Sequence, residues 1–360
     1  MSVVNHDPAS HDPMMLRATL ERMLEGVHLS QQEAGELLRA LTAEDLAPAL
    51  AGALLAALRA KGVTADELRG FAAAMQSLAR RPELPQLPDA VDIVGTGGDR
   101  SGSLNLSTGA SLLAAACGLP VIKHGNRSLS SRAGSADVLQ ALGLPMPLNE
   151  AAAGRCFTTL GFTFLFAPFY HPATRSIAPV RSALGVRTVF NILGPLCNPA
   201  SPPYLVIGAF NAATAELMAY ALMGSGVRRA FVIHGAHGWD EPTPIGEFTL
   251  FDVGPDAVRR EVRAPWDYGL AQCGPEALAG ADAVYNAREL TRALSESAPS
   301  AHRDALLLGA ALALEVTGRE PSPKAALARA AFGIDSGAAR SLLIRLQQFG
   351  ADEQRSAVSA

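Results

Sequence analysis

Read from the amino end, apolar and polar positions first recur at helical spacing. Leu16 to Leu29 alternates in that manner, and Ser30-Gln-Gln-Glu33 has the form of a capping box opening a second helix. Thr42-Ala-Glu-Asp45 precedes the Ala/Leu-rich run Leu46 to Leu58, Gly62 is placed as a C-cap, and Thr64-Ala-Asp-Glu67 caps a helix reaching about Arg80. Residues 14–80 are therefore expected to be all-helical. The run Arg81 to Pro88 holds three prolines in eight residues, which no helix continues through, and predicts a connector into a second domain.

Beyond that connector the period shortens. Val91 to Val94 forms a short apolar strand ending in a glycine loop, followed by a helix at about 107–117, the strand Pro120 to Lys123 and another loop. Strand, loop, helix, strand is the grammar of a parallel sheet. Further strands are predicted at 162–166, 204–209 and 229–233, with helix-compatible sequence such as Ala212 to Met223 between them, so the second domain is read as α/β. Segment 170–198 is rich in helix and turn signals and is a candidate for returning to the first domain. There is no internal repeat or low-complexity tract.

A length of 360 residues fits two domains at roughly 150 residues each. Lys+Arg 30 against Asp+Glu 34 gives a net charge of -4, without the basic excess on which non-specific nucleic-acid binding depends. A 49% hydrophobic fraction with 18% charged residues argues against intrinsic disorder, and 6% aromatics leaves core packing to alanine and leucine. Cys117, Cys156, Cys197 and Cys273 are scattered with no C-x-x-C pair, which disfavours a zinc site and a disulfide framework and points to a reducing compartment. The polar start lacks the flank and core of a secretory signal, and no segment reaches the roughly 18 uninterrupted apolar residues of a membrane helix, so the expected location is the cytoplasm.

Three features carry candidate chemistry. Gly95-Thr-Gly-Gly-Asp99 follows a strand directly, and Asn105-Leu-Ser-Thr108 opens the next helix; glycine lets the backbone approach a ligand, and a helix N-terminus favours anions. The loop matches neither the dinucleotide fingerprint nor a Walker A motif, and describes a phosphate cradle. Lys123 to Ser131, continuing to Asp137, sets a cation, hydroxyls and an amide at a second strand end, where open α/β sheets bind ligands. Together the two loops favour a sugar phosphate or diphosphate. Asp240-Glu241 follows the strand at 229–233 and suits a hard cation such as Mg²⁺, whereas His234 and His237 lack a third zinc ligand.

These motifs, with GSADVLQALG at 134–143, HPA at 171–173, VRSALGVRTVFNILGPLCNP at 180–199 and WDE at 239–241, resemble anthranilate phosphoribosyltransferase in order and spacing over about residues 15–348. The resemblance implies an α/β protein. A small all-helical domain (14–80 with about 170–198) joins a larger domain (89–169 with about 199–348) whose mostly parallel central sheet is flanked by helices, with the active site between them. It implies phosphoribosyl diphosphate held by Gly95, Gly98, Asp99, Ser103, Asn105, Leu106, Ser107, Thr108, Lys123, Asn126, Arg127, Ser128, Ser130, Ser131 and Ser135. It also implies anthranilate against Asn126, Arg181, His124 and His171, Mg²⁺ on Ser107, Asp240 and Glu241, a homodimer, and no membrane or nucleic-acid partner. No acid–base residue is implied.

Displacing diphosphate from a ribose C1 demands charge stabilisation on the leaving group more than a strong base, and an aromatic amine is already neutral at pH 7. Departures from the commoner family pattern are Ala133, Gln140, Ala281 and Gly309, none a proposed ligand, and Trp239, Pro242 and Pro244 beside the carboxylate pair. Two rivals stand beside this reading. A transferase for another aromatic acceptor would differ around Asn126 and Arg181, and a noncatalytic nucleic-acid-binding relative would have lost the glycine loop and gained a basic surface.

Overall fold

The computed structural model describes residues 12–85, 89–127 and 132–358. Four helices come first: α1 Pro13–Leu24, α2 Gln31–Leu41, α3 Pro48–Lys61 and α4 Ala65–Ser77. Both predicted capping boxes form, Ser30 with Glu33 and Thr64 with Glu67, each satisfying two otherwise unpaired amides. Thr42 instead closes α2, its hydroxyl donating to the Leu38 carbonyl at 2.9 Å, and α3 waits until Pro48, whose fixed φ suits a first helical turn. Gly62 ends α3 at φ 85°, a conformation that favours glycine.

The remainder is built on one seven-stranded sheet ordered β3-β2-β1-β4-β5-β6-β7. Strands β1 Val91–Gly95, β2 Val121–Gly125, β3 Phe162–Phe166, β4 Tyr204–Gly208 and β5 Arg229–His234 run parallel. β6 Phe248–Val253 and β7 Val258–Arg263 extend the sheet antiparallel and lie beyond the predicted strands. Crossover and flanking helices are α5 Leu106–Ala116, α6 Ser135–Ala141, α7 Glu150–Leu160, α8 Ala167–Tyr170, α9 Thr174–Leu184, α10 Phe190–Leu193, α11 Ala212–Leu222 and α12 Pro265–Tyr268. Four more finish the chain: α13 Ala283–Ser295, α14 Ala301–Val316, α15 Pro323–Asp335 and α16 Ala338–Val358.

Strand alternation assigns the two sheet faces to two cores. Val206, Phe231, Ile233 and Leu250 point into the larger core with α5, α7, α14 and α16. Their neighbours Leu205, Ile207, Ala230, Val232 and Phe251 point the other way, into a core shared with α2, α3, α4 and α11 and with Ile177, Phe190 and Leu193 of the 170–198 segment. The helical bundle thus continues the packing of one sheet face, and α9 lies against α3. Each fully buried Leu or Phe in this seam contributes about 1.5–3 kcal/mol. Among the described residues, no helix is long and apolar enough to cross a membrane.

Candidate active site

The carboxyl ends of the parallel strands open onto one cleft of about 810 Å³. One wall is the loop 95–103, the start of α5, the end of β2 and the Asp240-Glu241 turn; the other is the returning segment, with His171, Arg181, Arg187, Phe190 and Cys197.

Glycines at the strand ends decide where the carboxylate turn lies. A Cβ on Gly208 would collide with the Asp240 carbonyl oxygen, one on Gly235 with the Glu241 carbonyl oxygen, and one on Gly95 would sit 2.5 Å from Asp240 Oδ2. Residues 239–241 therefore rest in a groove made of absent side chains. Its edge is closed by the Gly235 amide donating to the Trp239 carbonyl at 2.8 Å.

From that groove Asp240 Oδ2 accepts from the Gly97 amide at 2.5 Å and Glu241 Oε1 from the Ser107 amide at 2.9 Å. Ser103 Oγ donates to Glu241 Oε2 at 3.3 Å. Asp99 accepts from the Asp240 amide at 3.3 Å and from the Ser101 amide at 3.0 Å. Burial pushes the pKa of Asp240 upward, with repulsion from Asp99 adding to it; burial does the same to Glu241, reinforced by Asp240 and then Asp99. Lys123, 1% exposed, donates to the Ile93 carbonyl and, at 3.3 Å, to Ser107 Oγ. Its own pKa is lowered by burial, against the pull of Asp92, Glu241 and Asp240. The oxygens of Asp99, Asp240, Glu241 and Ser107 gathered here form an all-oxygen donor set that fits a hard divalent cation, whose charge would favour the ionised carboxylates.

The other expected diphosphate residues are distributed unevenly. Gly98 takes φ 74° in the loop, and Asn105, the N-cap residue of α5, hydrogen-bonds the Ala133 carbonyl and Asn286. Thr108 lines the cleft with its hydroxyl unpartnered among the described residues, and Ser135 Oγ donates to the Asn126 carbonyl at 3.1 Å. Arg127 is drawn aside, tied to Asp137 at 2.5 Å and to Gln140 at 2.9 Å. Leu106 is not brought to the cleft: its side chain is core, and its amide donates to the Leu104 carbonyl. Ser128, Ser130 and Ser131 lie outside the described residues.

At the far end His124 and His171 meet edge to face with centroids 5.1 Å apart. Burial pushes His124 down to about 3, helped by His171, and His171 down to about 4, so both rings are neutral. Arg181, on α9, stands 4.9 Å over the Phe190 ring, and among the described residues no carboxylate pairs with it; burial lowers its pKa. Asn126 is exposed at the end of β2, its Oδ1 accepting from the Arg127 amide. His234 hydrogen-bonds the Ala209 carbonyl and His237 is exposed, so no zinc cluster forms there.

Sequence reasoning passed over two residues. Asp92, fully buried, accepts from the His124 amide at 3.2 Å and from Asn198 at 2.8 Å, and a charge inside an otherwise apolar parallel strand was its signal. Arg187, inside a quoted motif but given no role, donates to the Gly98 carbonyl across the cleft. The substituted Gln140 holds Arg127, Ala281 donates its amide to Asn286, and Gly309 stands against Ala110.

Comparison with known proteins agrees with this geometry. The glycosyl transferase family a/b domain matches residues 87–340, and the helical bundle domain of that family matches residues 17–79. An anthranilate phosphoribosyltransferase from Desulforudis audaxviator is 45% identical over 336 residues, 93% of this chain and 96% of that protein. The crystal structure of the Thermus thermophilus enzyme superposes with a TM-score of 0.86 at 42% identity, covering 92% of this chain and 99% of that one. The Saccharomyces cerevisiae enzyme in complex with PRPP and Mg superposes with a TM-score of 0.85 at 25% identity, covering 95% and 99%. With such identity along more than nine-tenths of the chain and both family domains matched, the protein belongs to the anthranilate phosphoribosyltransferase family.

Proposed function

We propose that this cleft transfers the 5-phosphoribosyl group of phosphoribosyl diphosphate to anthranilate, giving N-(5-phosphoribosyl)anthranilate and diphosphate, a step of tryptophan biosynthesis. The observation that carries the reading is the facing of two buried carboxylates, Asp240 and Glu241, onto a glycine loop and a helix N-terminus at the ends of parallel strands. Asp240, Glu241 and Ser107 would hold Mg²⁺, which when bound neutralises charge on the departing diphosphate. Gly95, Gly98, Asp99, Ser103, Asn105, Ser107, Thr108, Lys123, Asn126 and Ser135 would bind phosphoribosyl diphosphate, with the positive end of the α5 dipole favouring its charge. Lys123 adds a buried amine that reaches Ser107 Oγ from the end of β2.

Arg181 faces the acceptor's carboxylate in this reading, which its lack of an internal carboxylate partner supports. His124 and His171 would wall the aromatic ring in neutral form, and Asn126 would stand between acceptor and ribose. In the transfer the bond from ribose C1 to a diphosphate oxygen breaks, the bond from C1 to the amine nitrogen forms, and the amine proton leaves to solvent. Positioning between the two walls, 14–80 with 170–198 on one side and the sheet on the other, supplies much of the acceleration. The same reading extends to a homodimer in a reducing compartment, where the four cysteines, free among the described residues, would stay thiols.

Loss of anthranilate fluorescence on mixing enzyme, anthranilate, phosphoribosyl diphosphate and Mg²⁺ tests the proposal. Turnover should require all three additions. No consumption beyond a heat-killed control by folded protein overturns it, and reaction of another aromatic amine in place of anthranilate overturns the acceptor assignment.

A further inference from the structure

Three soft-ligand side chains converge at the acceptor end of the cleft. His124 stands near the end of β2, His171 follows α8, and Cys197 follows the turn Gly194–Leu196; one donor atom from each lies within 4.8 Å of the other two. Each residue is only 3% exposed, yet all three line the cleft, so an ion has a route to them. The 46 positions between His124 and His171 and the 25 between His171 and Cys197 hide this cluster from any spacing motif.

The hydrogen bonding is that of ligands without an occupant of their lone pairs. His124 Nδ1 lies 3.2 Å from the Gly194 carbonyl oxygen, which only accepts, so that nitrogen carries the proton and Nε2 keeps an unpartnered lone pair. Metal-bound imidazoles are usually anchored in this way through their second nitrogen. The His124 backbone amide is itself fixed by Asp92, which Asn198 also holds. The His171 ring lies by the Met75 and Cys197 backbone without a well-formed hydrogen bond at either nitrogen, and the Cys197 thiol leans on the Gly194 carbonyl at 3.3 Å. A buried imidazole pair with a free lone pair at His124 Nε2 and no well-formed hydrogen bond at His171 is costly as mere packing.

We infer that His124, His171 and Cys197 form a binding site for a soft divalent ion, Zn²⁺ foremost, and that its occupation shuts the acceptor end of the cleft. Imidazole and thiolate donors select zinc over magnesium, so the site is chemically distinct from the all-oxygen carboxylate turn. Zinc bonds of about 2.0–2.3 Å place donors roughly 3.3–3.8 Å apart in a tetrahedron, so side chains already within 4.8 Å need draw together by no more than about 1.5 Å. The Cys197 proton leaves to solvent as the thiolate binds, and a water completes the fourth position toward the cleft. Ion binding stands on the cluster alone; its inhibitory effect rests on the acceptor reading proposed above.

Co²⁺, a spectroscopic substitute for zinc, tests the site directly. Added to the intact protein in saturating Mg²⁺, it should give a sulfur-to-cobalt charge-transfer band in the near ultraviolet at one ion per chain, displaced by Zn²⁺. Cys197→Ser and Cys197→Ala, checked to be folded by circular dichroism, should lose the band and bind Zn²⁺ about 100-fold or more weakly, since even outer-shell changes cost 10–100-fold. In the wild type Zn²⁺ should raise the apparent KM for anthranilate with little effect on that for phosphoribosyl diphosphate. Absence of the band, or its survival in both variants, overturns the site. Zinc inhibition equal in wild type and variants overturns the blocking effect. A protein that gives the band but never consumes anthranilate would refute the functional reading and leave the site standing.

Discussion

Arg187, on the stretch between α9 and α10, donates a hydrogen bond to the carbonyl of Gly98 in the phosphate loop. Its guanidinium lies 3.9 Å over the Phe210 ring, and its own carbonyl accepts from Arg59 of α3. The helical wall therefore holds the glycine loop through one planar cation. Arg187→Ala should lower kcat/KM for phosphoribosyl diphosphate by roughly fivefold, about 1 kcal/mol for a charged hydrogen bond discounted for exposure. Arg187→Lys should not restore it, because lysine cannot stack and bond in one plane. Unchanged kinetics in both variants would remove the contact from the mechanism.

Asp240→Asn with Glu241→Gln should abolish turnover while leaving the melting temperature equal or higher. Amide oxygens can still accept from the Gly97 and Ser107 amides, and neutral side chains escape the burial penalty and the repulsion that together raise both carboxyl pKa values. A titration of rate against Mg²⁺ checks this: saturation at the wild-type rate and concentration would exclude the pair as metal ligands.

Arg181→Ala should raise KM for anthranilate by about 10- to 100-fold, the 1.5–3 kcal/mol of a charged hydrogen bond, and move KM for phosphoribosyl diphosphate much less. Steady-state kinetics with each substrate varied in turn decide it. Parallel rises in both constants would mark Arg181 as a structural residue on α9.

Glu67 is a test of the bundle alone. It is fully buried and accepts from the Leu29 amide at 2.7 Å, the Thr64 amide at 2.8 Å and Lys61 at 2.8 Å. Burial alone would raise its pKa, but the Leu29 and Lys61 hydrogen bonds outweigh that and hold it low. Glu67→Ala should cost about 3 kcal/mol, by leaving the buried Leu29 amide without its acceptor and the Lys61 ammonium with only Gly62 and His28. Because the folded pKa is depressed, the wild-type advantage should be complete above the ordinary carboxylate range and vanish as pH falls through the folded value. Urea unfolding of both proteins at neutral and acid pH reads the difference.

Legibility from sequence followed the local character of each signal. The five parallel strands announced themselves as short apolar runs, four of them closed by glycine, and Ser30 and Thr64 announced their helices through a glutamate three residues on. β7 (VRREVR) did not, because an edge strand facing solvent carries four charges in six residues and loses the hydrophobic signal. Within the site, the glycine loop and carboxylate pair were readable as motifs, whereas Arg187 reaches a partner 89 positions away and Asp92 acts through Asn198 at 106. Such contacts exist only once the returning segment has packed. Leu106 was grouped with its motif neighbours, yet helical periodicity turns it from the cleft while Ser107 faces it.

The groove at Gly95, Gly208 and Gly235 makes the site's tolerance to change lopsided. A charge lost from the turn can be returned by a different acid or a different ion, since several donors surround it. A single methyl group added at Gly208 or Gly235 cannot be compensated that way, because it evicts backbone and not a side chain. Drift in metal preference is therefore open to this scaffold through the residues of the turn, while the three strand ends beneath it have no smaller amino acid to retreat to.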